Sequence, residues 1–317
     1  MWAPVINPPR TALSDRSCVV LGGGGFIGTN LCRRLAASGV HVRAFGRHAH
    51  FPNQMDNIEW YPGDFRDTAT LANAIAAFDV VVHLVHATTP QSSNLEMAGD
   101  VESIQASVAM FDTCRKVGVK RVVFVSSGGT VYGRAQQTPT PETAPTEPIT
   151  AYGVSKLAIE KYLGLYERLH NLDYRVLRVA NAYGPFHNAT KSQGIIGTLI
   201  SRALRGQKIE IWGDGSVVRD FVYVDDVVDA LEAAIVDRSD QRIFNIGSGQ
   251  GRSLRDIITM IERQLAMTLD IEWQAHRLQD VPASILNIDR ARDVLGWHPK
   301  TSLDSGLEKT VDWWKRR

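Results

Sequence analysis

Short apolar runs of strand length alternate with segments of helical period through the first half of the chain. We interpret the following residues as strands: 17–21, 40–45, 58–61, 80–85, 122–125 and 174–177. In the segment 100–117, apolar residues recur every three or four positions, as on one face of a helix. The run 80–85 is apolar at almost every position, which is typical of a parallel strand covered on both faces. The pattern therefore predicts an α/β fold with a doubly wound parallel sheet.

The second half of the chain continues with helical and strand patterns and shows no internal repeat. Its predicted elements are a helix opened by Asp225 and Asp226, a strand at 243–247 and helices at 254–265 and 303–313. Residues 1–16 are Pro-containing and polar, and we interpret them as a loose tail. We expect one domain at 17–181, joined by parts of 215–247, and a smaller, discontinuous domain made mainly of 182–317.

Glycines cluster after the first predicted strand and before a helical segment that ends at Gly39. Gly22, Gly25 and Gly28 form Gly-x-x-Gly-x-x-Gly, and Gly23 with the last two forms Gly-x-Gly-x-x-Gly. Strand, glycine turn and helix in this order are the context of a dinucleotide-binding fingerprint, in which pyrophosphate meets the amides at the helix N-terminus. The other interpretation is a flexible turn without a ligand.

The second predicted strand ends without the carboxylate that often holds the adenosine ribose of a dinucleotide. The residues there are Gly46-Arg47-His48, and Arg47 either meets a 2′-phosphate, which favours NADP, or is a solvated loop residue against adenine. Asp64 follows the third strand. It either accepts a hydrogen bond from the adenine amine or caps the helix that begins near Thr68.

Tyr152 and Lys156 are four residues apart at the start of a predicted helix and therefore share one face. A neighbouring ammonium favours the phenolate and lowers a tyrosine pKa that is ordinarily ~10. Such a tyrosine can take a proton from an alcohol while a hydride leaves the same carbon. The alternative is an ordinary surface pair.

The strand that begins at Val122 delivers hydroxyl groups at its C-terminal end, where ligands bind in open α/β sheets. Ser126 and Ser127 come first and Thr130 follows two glycines later. The alternative is that the serines only end the strand through backbone contacts.

The chain resembles the extended short-chain dehydrogenase/reductase family, in its UDP-glucose 4-epimerase-like branch of nucleotide-sugar epimerases and dehydratases. It carries that family's motifs in the expected order: the glycine motif, Gly63-Asp64, Ser126-Ser127 before Val131-Tyr132-Gly133, Tyr-x-x-x-Lys, and Arg219-Asp220-Phe221. The resemblance runs from about Cys18 to the C-terminus. It implies a Rossmann domain, a bound NAD, with NADP possible because of Arg47, and a nucleotide-sugar substrate.

The resemblance assigns Tyr152 as the acid/base and Lys156 as a ligand of the nicotinamide ribose. It implies cofactor contacts at Gly22, Gly25, Phe26, Ile27, Gly28, Arg47, Asp64, Leu84, Tyr152 and Lys156. Relatives commonly carry Ser or Thr three residues before the Val of Val-Tyr-Gly, but this chain has Gly128 there. Ser127 or Thr130 then supplies the active-site hydroxyl, and we favour Thr130 because it directly precedes Val131.

By the same resemblance, the downstream half binds the nucleotide sugar. The implied substrate contacts are Thr130, Asn181, Trp212, Arg219, Arg277 and Asp280. Arg219 suits two phosphate oxygens because a guanidinium is planar and bidentate, although it is also explained as a surface arginine. Asn181 precedes a Gly-Pro turn and is also ordinary turn chemistry.

The same motifs indicate which reaction to expect. Dehydratases of this branch carry two acids before Val-Tyr-Gly, where this chain has Gly129-Thr130, and epimerisation needs only one acid/base. We therefore expect a 4-epimerase of a nucleotide sugar, a UDP-hexose or UDP-N-acetylhexosamine. The alternatives are an NADPH-dependent 4-keto-sugar reductase and, from another class, a non-catalytic dinucleotide-binding protein.

Composition narrows the choice of partners and compartment. The net charge of +1 gives no case for nucleic acid or a membrane surface. The 3 cysteines have no metal-ligand spacing, so we expect no metal and a reducing cytoplasm. No apolar run reaches transmembrane length. Helices near 100–117 and 152–168 are those through which relatives dimerise, so we expect a homodimer.

Overall fold

The structure, a computed structural model, describes residues 11–89, 92–187, 194–275 and 281–317. Its helices are α1 (Thr11–Ser14), α2 (Phe26–Ala37), α3 (Thr68–Ile75), α4 (Met97–Val117), α5 (Ala151–His170), α6 (Ile195–Leu204), α7 (Val224–Val236), α8 (Leu254–Leu265), α9 (Asp289–Leu295) and α10 (Leu303–Lys315). Its strands are β1 (Ser17–Leu21), β2 (His41–Gly46), β3 (Glu59–Pro62), β4 (Val80–His83), β5 (Arg121–Ser127), β6 (Asp173–Val179), β7 (Asn181–Tyr183), β8 (Ile209–Trp212), β9 (Val218–Tyr223), β10 (Ile243–Ile246), β11 (Gly251–Ser253), β12 (Ile271–Gln274) and β13 (Ala283–Ser284).

Seven strands form the main sheet, in the order β10-β6-β5-β4-β1-β2-β3, and every neighbouring pair is parallel. The chain runs outward from β1 through β2 to β3 and then returns to the other side of β1 with β4. The strand order therefore reverses between β1 and β4, and ligands bind beyond the carboxyl ends of strands at such a switch point. The predicted doubly wound parallel sheet is confirmed.

Alternate residues of the central strands pack into two cores, one on each face of this sheet. Val20 and Val82 belong to the core that contains α2 and α7 residues, whereas Val19 and Val81 belong to the core formed with α3, α4 and α5. Strand side chains point alternately to opposite faces, so a strand buried on both faces must be apolar at successive positions. This explains the continuous apolar runs of the sequence and fixes the strand ends at one edge of the sheet.

A second group of elements follows β6. Strand β9 pairs with β7, β11 and β13, while β8 and β12 form a separate parallel pair. Helices α6, α8 and α10 contribute to a third core there. Strand β10 instead joins the edge of the main sheet beside β6. The domain boundaries inferred from the sequence stay a prediction.

Several element boundaries differ from those expected. Helix α2 begins at Phe26, directly after its N-cap Gly25, so the third glycine of the motif, Gly28, lies within the helix. Strand β4 ends at His83, two residues before the end of its apolar run. The short helix α1 lies inside the segment that we interpreted as a loose tail. The helix boundary shifts because capping, not apolar period, decides where a helix begins and ends.

In the part of the chain that the structure describes, no helix combines the length and apolarity needed to cross a membrane. Within the same ranges, no group of three or more His, Cys, Asp or Glu residues is arranged to hold a metal ion. The predicted cytoplasmic location stays a prediction.

Candidate active site

A cleft of about 1060 Å³ lies at the carboxyl ends of the central strands, at the switch point of the sheet. Its lining includes residues of the main sheet and of the elements after β6. The predicted site residues brought together there are Gly22, Gly25, Phe26, Ile27, Gly28, Arg47, Asp64, Leu84, Ser127, Tyr152, Lys156, Asn181, Trp212 and Arg219. Thr130 is not part of this lining, and the predicted contacts Arg277 and Asp280 lie outside the described residues.

The glycine turn between β1 and α2 leaves no room for side chains. A Cβ on Gly28 would lie 2.2 Å from the Gly22 carbonyl oxygen, and one on Gly23 would lie 2.6 Å from the Ala44 Cβ. Gly22 has a φ of +84°, which side-chain-bearing residues rarely adopt. The N-cap of α2, Gly25, provides no side-chain acceptor for the first-turn amides. A helix start of this kind suits a pyrophosphate, so these residues fit a dinucleotide.

Asp64 and Arg66 form a two-point ion pair at the end of the cleft near β2 and β3. The Arg66 Nε lies 3.0 Å from Asp64 Oδ1, and its Nη2 lies 2.8 Å from Oδ2. These hydrogen bonds from Arg66 hold the pKa of Asp64 at about 2. The cap of helix α3 is Asp67, which accepts hydrogen bonds from the amides of Ala69 and Thr70, so the interpretation of Asp64 as that cap is wrong. Arg66, which also lines the cleft, was missed in the sequence.

Tyr152 and Lys156 come together in the cleft on the first turns of α5. Thr150 caps this helix by accepting a hydrogen bond from the Gly153 amide. The Lys156 Nζ lies 5.5 Å from the centre of the Tyr152 ring and donates to the Val125 carbonyl oxygen at 3.0 Å. The four-residue spacing thus places both side chains on one face of the helix, as expected from the sequence.

The charge balance at Tyr152 differs from our expectation that Lys156 lowers the phenol pKa. Burial raises the pKa of Tyr152, and the negative charge of Asp100 raises it further. Burial lowers the pKa of Lys156 to about 7, against the opposing effects of Glu160 and Asp100. The expectation was wrong for the protein without bound ligands because Lys156 is itself desolvated and donates to a backbone carbonyl.

The two candidates for the active-site hydroxyl, Ser127 and Thr130, differ in their location. Ser127 lines it, whereas the Thr130 Oγ1 is buried and has no hydrogen-bond partner among the described residues. A Cβ at Gly128 would lie 2.5 Å from the Leu286 Cδ1 and 3.0 Å from the Arg178 carbonyl oxygen. This close packing explains why position 128 carries no hydroxyl-bearing side chain.

Behind the Tyr152 helix lies a buried polar network that sequence reasoning missed. Glu160 accepts hydrogen bonds from the Arg178 guanidinium, with Nη2 at 2.7 Å from Oε2, and from the Ser126 hydroxyl. Arg178 also donates to the Tyr132 hydroxyl at 2.9 Å, which donates to Asn245 Oδ1 at 2.7 Å. Glu160 lies one turn beyond Lys156, so its place on the same helical face was the available signal.

The opposite side of the cleft is built on β7, β8 and β9. Asn181 donates through Nδ2 to the Asp220 carbonyl oxygen at 3.0 Å, and the Arg219 Nη1 donates to the Val281 carbonyl oxygen at 2.7 Å. The Asp220 carboxylate accepts from the amide of Ser248 at 2.7 Å, which ties the loop after β10 to β9. Trp212 is 41% exposed. Asn181, Trp212 and Arg219 thus line the cleft on the side formed by the elements after β6.

Comparison with known proteins agrees with this arrangement. The model of the "NAD dependent epimerase/dehydratase family" matches residues 18–247. A UDP-glucose 4-epimerase of Mycolicibacterium smegmatis is 35% identical over 309 residues, covering 94% of this chain and 98% of that protein. A dTDP-4-dehydro-6-deoxyglucose reductase of Escherichia coli is 29% identical over 303 residues, covering 92% of this chain and 96% of that protein.

Among solved structures, a UDP-glucose 4-epimerase of Thermotoga maritima with UDP-glucose superposes with a TM-score of 0.90. It is 33% identical and covers 95% of this chain and 99% of that chain. The predicted family and the predicted cofactor, NAD, are both confirmed by these matches. The chain belongs to the NAD dependent epimerase/dehydratase family.

Proposed function

We propose that the protein is a nucleotide-sugar 4-epimerase acting on a UDP-hexose or a UDP-N-acetylhexosamine. One observation carries the proposal: Tyr152 and Lys156 share a cleft with a glycine turn that fits a dinucleotide and with Arg219 on the opposite side. We therefore assign Tyr152 as the acid/base, the glycine turn to the cofactor and Arg219 to the substrate phosphates. The names of the two similar epimerases, from Mycolicibacterium smegmatis and Thermotoga maritima, support the same reaction.

In the proposed reaction, Tyr152 as phenolate takes the proton of the sugar C4 hydroxyl while the C4 hydride leaves, so that C4 becomes a ketone. NAD, held at the glycine turn, would supply the acceptor for that hydride and the donor for its return to the opposite face of the sugar. Lys156 is placed beside Tyr152 to bind the nicotinamide ribose, while Ser127 hydrogen-bonds the reacting oxygen. Tyr152 then returns the proton, so proton and hydride are both restored and only the configuration at C4 changes.

Elimination of water would need a further acid/base group near the sugar. Among the described residues, the carboxylates that line the cleft are Asp64, Glu102 and Glu210. Asp64 and Glu102 contact Arg66, and Glu210 lies on β8. No carboxylate of this set lies on the segment after β5 where a dehydratase of this branch carries its acids. An epimerase is therefore favoured over a dehydratase.

The substrate-binding residues follow from the same proposal. Asn181 keeps a second amide N–H for a diphosphate oxygen, and Arg219 suits the same group as a guanidinium. Trp212 offers an exposed ring for the nucleobase. We also propose the domain division 17–181 with parts of 215–247, against 182–317. A structure with UDP bound away from Asn181 and Arg219 would contradict these assignments.

The proposal predicts a cofactor that stays bound through purification. Denaturing the freshly purified protein and identifying the released dinucleotide by mass is expected to give about one NAD per chain. The same protein, without added cofactor, is expected to interconvert UDP-glucose and UDP-galactose, or their N-acetyl forms. Protein that is empty of cofactor and does not change either sugar pair would contradict the epimerase.

The second candidate is a one-way reductase of a 4-keto sugar that consumes NADPH. It is favoured by Arg47 and Arg66, which both line the β2–β3 end of the cleft and can meet a 2′-phosphate. The deciding observation is stoichiometry, because a reductase oxidises one NADPH for each sugar reduced. An epimerase leaves the absorbance of the reduced nicotinamide unchanged over many turnovers.

We further propose a homodimer through α4 and α5. Their exposed apolar side chains include Val101 (53%), Val154 (51%), Leu165 (42%) and Leu169 (70%). On α5 these residues follow helical spacing and form one stripe, and such a stripe on a soluble protein marks an interface.

We expect the native protein to have twice its chain mass of 35.0 kDa by light scattering. The double variant Val154→Glu, Leu169→Glu is expected to be monomeric, because charge within a buried interface is costly. Met267→Glu, at a comparably exposed position after α8, is the matched control and should stay dimeric. A native mass of one chain would contradict the dimer.

A further inference from the structure

Three side chains converge on one buried carboxylate next to the Tyr152 helix. Asp100 is 3% exposed, and its Oδ1 lies 2.9 Å from the His86 Nε2, the Thr88 Oγ1 and the Ser155 Oγ alike. The four residues come from the loop after β4, from α4 and from α5. A buried carboxylate with several donors is an expensive arrangement to maintain, so its location beside the proposed acid/base calls for an explanation.

This cluster is in direct contact with Tyr152. The His86 ring meets the Tyr152 ring edge to face, with centres 4.7 Å apart and planes at 76°. The Ser155 Oγ also lies 2.9 Å from the Tyr152 carbonyl oxygen. The cluster therefore contacts Tyr152 at both its ring and its backbone, and His86 itself lines the cleft.

The cluster holds His86 in one orientation. Burial, followed by the charge of Lys156, lowers the pKa of His86 to about 4. The donors to Asp100 are therefore a neutral ring N–H and hydroxyl groups. A neutral His86 donates from Nε2 to Asp100, which leaves Nδ1 as an acceptor. That Nδ1 is buried without a partner among the described residues, as is the Asp100 Oδ2.

We propose that Asp100 and His86 are positioning residues for Tyr152. Asp100 fixes the His86 imidazole against the phenol ring and, through Ser155, fixes the first turn of α5. The inference rests on the proposed function, which assigns Tyr152 as the acid/base. It extends that function, because neither residue belongs to the motifs that identify the family in this sequence.

The carboxylate also sets the charge around the acid/base pair. The titratable groups that interact electrostatically with this cluster are His83, next to His86 on the β4 side, and Tyr152 and Lys156 from α5. Asp100 raises the pKa of Tyr152 and opposes the lowering of the Lys156 pKa. Removing its charge therefore lowers both pKa values together.

The test compares Asp100→Asn with the native enzyme over the full pH range of sugar interconversion. Because the Asp100 charge raises the pKa of both Tyr152 and Lys156, the limbs that report these two groups should both move to lower pH by about one unit. KM should stay within about twofold, since Asp100 does not line the cleft. Asp112→Asn, on the exposed part of the same helix, is the matched control and should leave the profile in place. An unshifted Asp100→Asn profile would overturn the proposal.

A second measurement needs no turnover and separates this inference from the proposed reaction. In NAD-bound protein without sugar, the ¹³Cζ resonance of Tyr152, assigned by its loss in Tyr152→Phe, should move toward the phenolate position at lower pH in Asp100→Asn than in the native protein. If the Tyr152 resonance moved at the same pH as in the native protein, or at a higher pH, the positioning role would be overturned even in an active epimerase. A lower pH supports it even if no sugar is turned over.

A further variant keeps the test decisive if Asp100→Asn does not fold. His86→Gln retains an N–H donor near the Nε2 position but removes the ring that meets Tyr152. We expect its kcat to fall about tenfold with the pH profile unchanged, because the Asp100 charge remains. A kcat equal to that of the native enzyme would show that the His86 ring does not position Tyr152.

Discussion

Replacing Tyr152 with Phe is expected to lower kcat for sugar interconversion by about 10³-fold, within the range of a lost general acid/base. The variant removes one oxygen and keeps the ring that packs against His86 at 4.7 Å. KM is expected to stay within about threefold, because nucleotide and diphosphate contacts lie elsewhere in the cleft. The measurement is the initial rate of interconversion, with NAD content determined on the same sample.

Two hydroxyl variants serve as controls for this result. Ser127→Ala is expected to reduce kcat by about 100-fold, as for the loss of a hydrogen bond to the reacting oxygen. Thr130→Val removes a hydroxyl that does not line the cleft and should leave kcat within about threefold. The reverse order would assign the active-site hydroxyl to Thr130, and a Tyr152→Phe enzyme with normal kcat would exclude Tyr152 as the acid/base.

Local patterns in the sequence were sufficient to predict the fold and two parts of the cleft, the glycine turn and the Tyr152–Lys156 pair. Continuous apolar runs predict buried parallel strands, and their carboxyl ends meet at one edge of the sheet. The glycine turn and the Tyr152–Lys156 pair each depend on residues within one or two turns of chain. For that reason they were recognisable before any tertiary contact was known, and both line the same cleft.

Contacts between distant segments were not recognisable in the same way. Asp100 and Ser155 are separated by 55 positions in the sequence, yet the Ser155 Oγ lies 2.9 Å from the Asp100 Oδ1. Nothing in their spacing indicates this contact. The pKa of Tyr152 was expected to fall because of Lys156, whereas burial raises it. Burial depends on how α4 and α5 pack on the sheet, and this is a property of the whole fold rather than of a motif.

The Glu160–Arg178 pair is another non-local contact, and it connects the stability of the sheet to the active site. Glu160 is 4% and Arg178 2% exposed, and the guanidinium contacts both carboxylate oxygens. A buried ion pair contributes little to stability compared with well-packed apolar residues of the same volume. Loss of one partner, however, leaves an uncompensated buried charge. The pair joins α5 to β6 one helical turn from Lys156.

Glu160→Gln is therefore expected to lower the free energy of unfolding by about 3–5 kcal/mol, measured by denaturant unfolding of the NAD-bound protein. Glu272→Gln, in the exposed pair with Lys208, is the matched control and should cost at most about 1 kcal/mol. Glu160 also opposes the lowering of the Lys156 pKa, so its loss should move the limb of the pH profile that reports Lys156 to lower pH. Equal stability losses in the two variants would mean that Arg178 finds another partner when Glu160 is absent. A stability loss without movement of that limb would separate the structural role of Glu160 from its effect on Lys156.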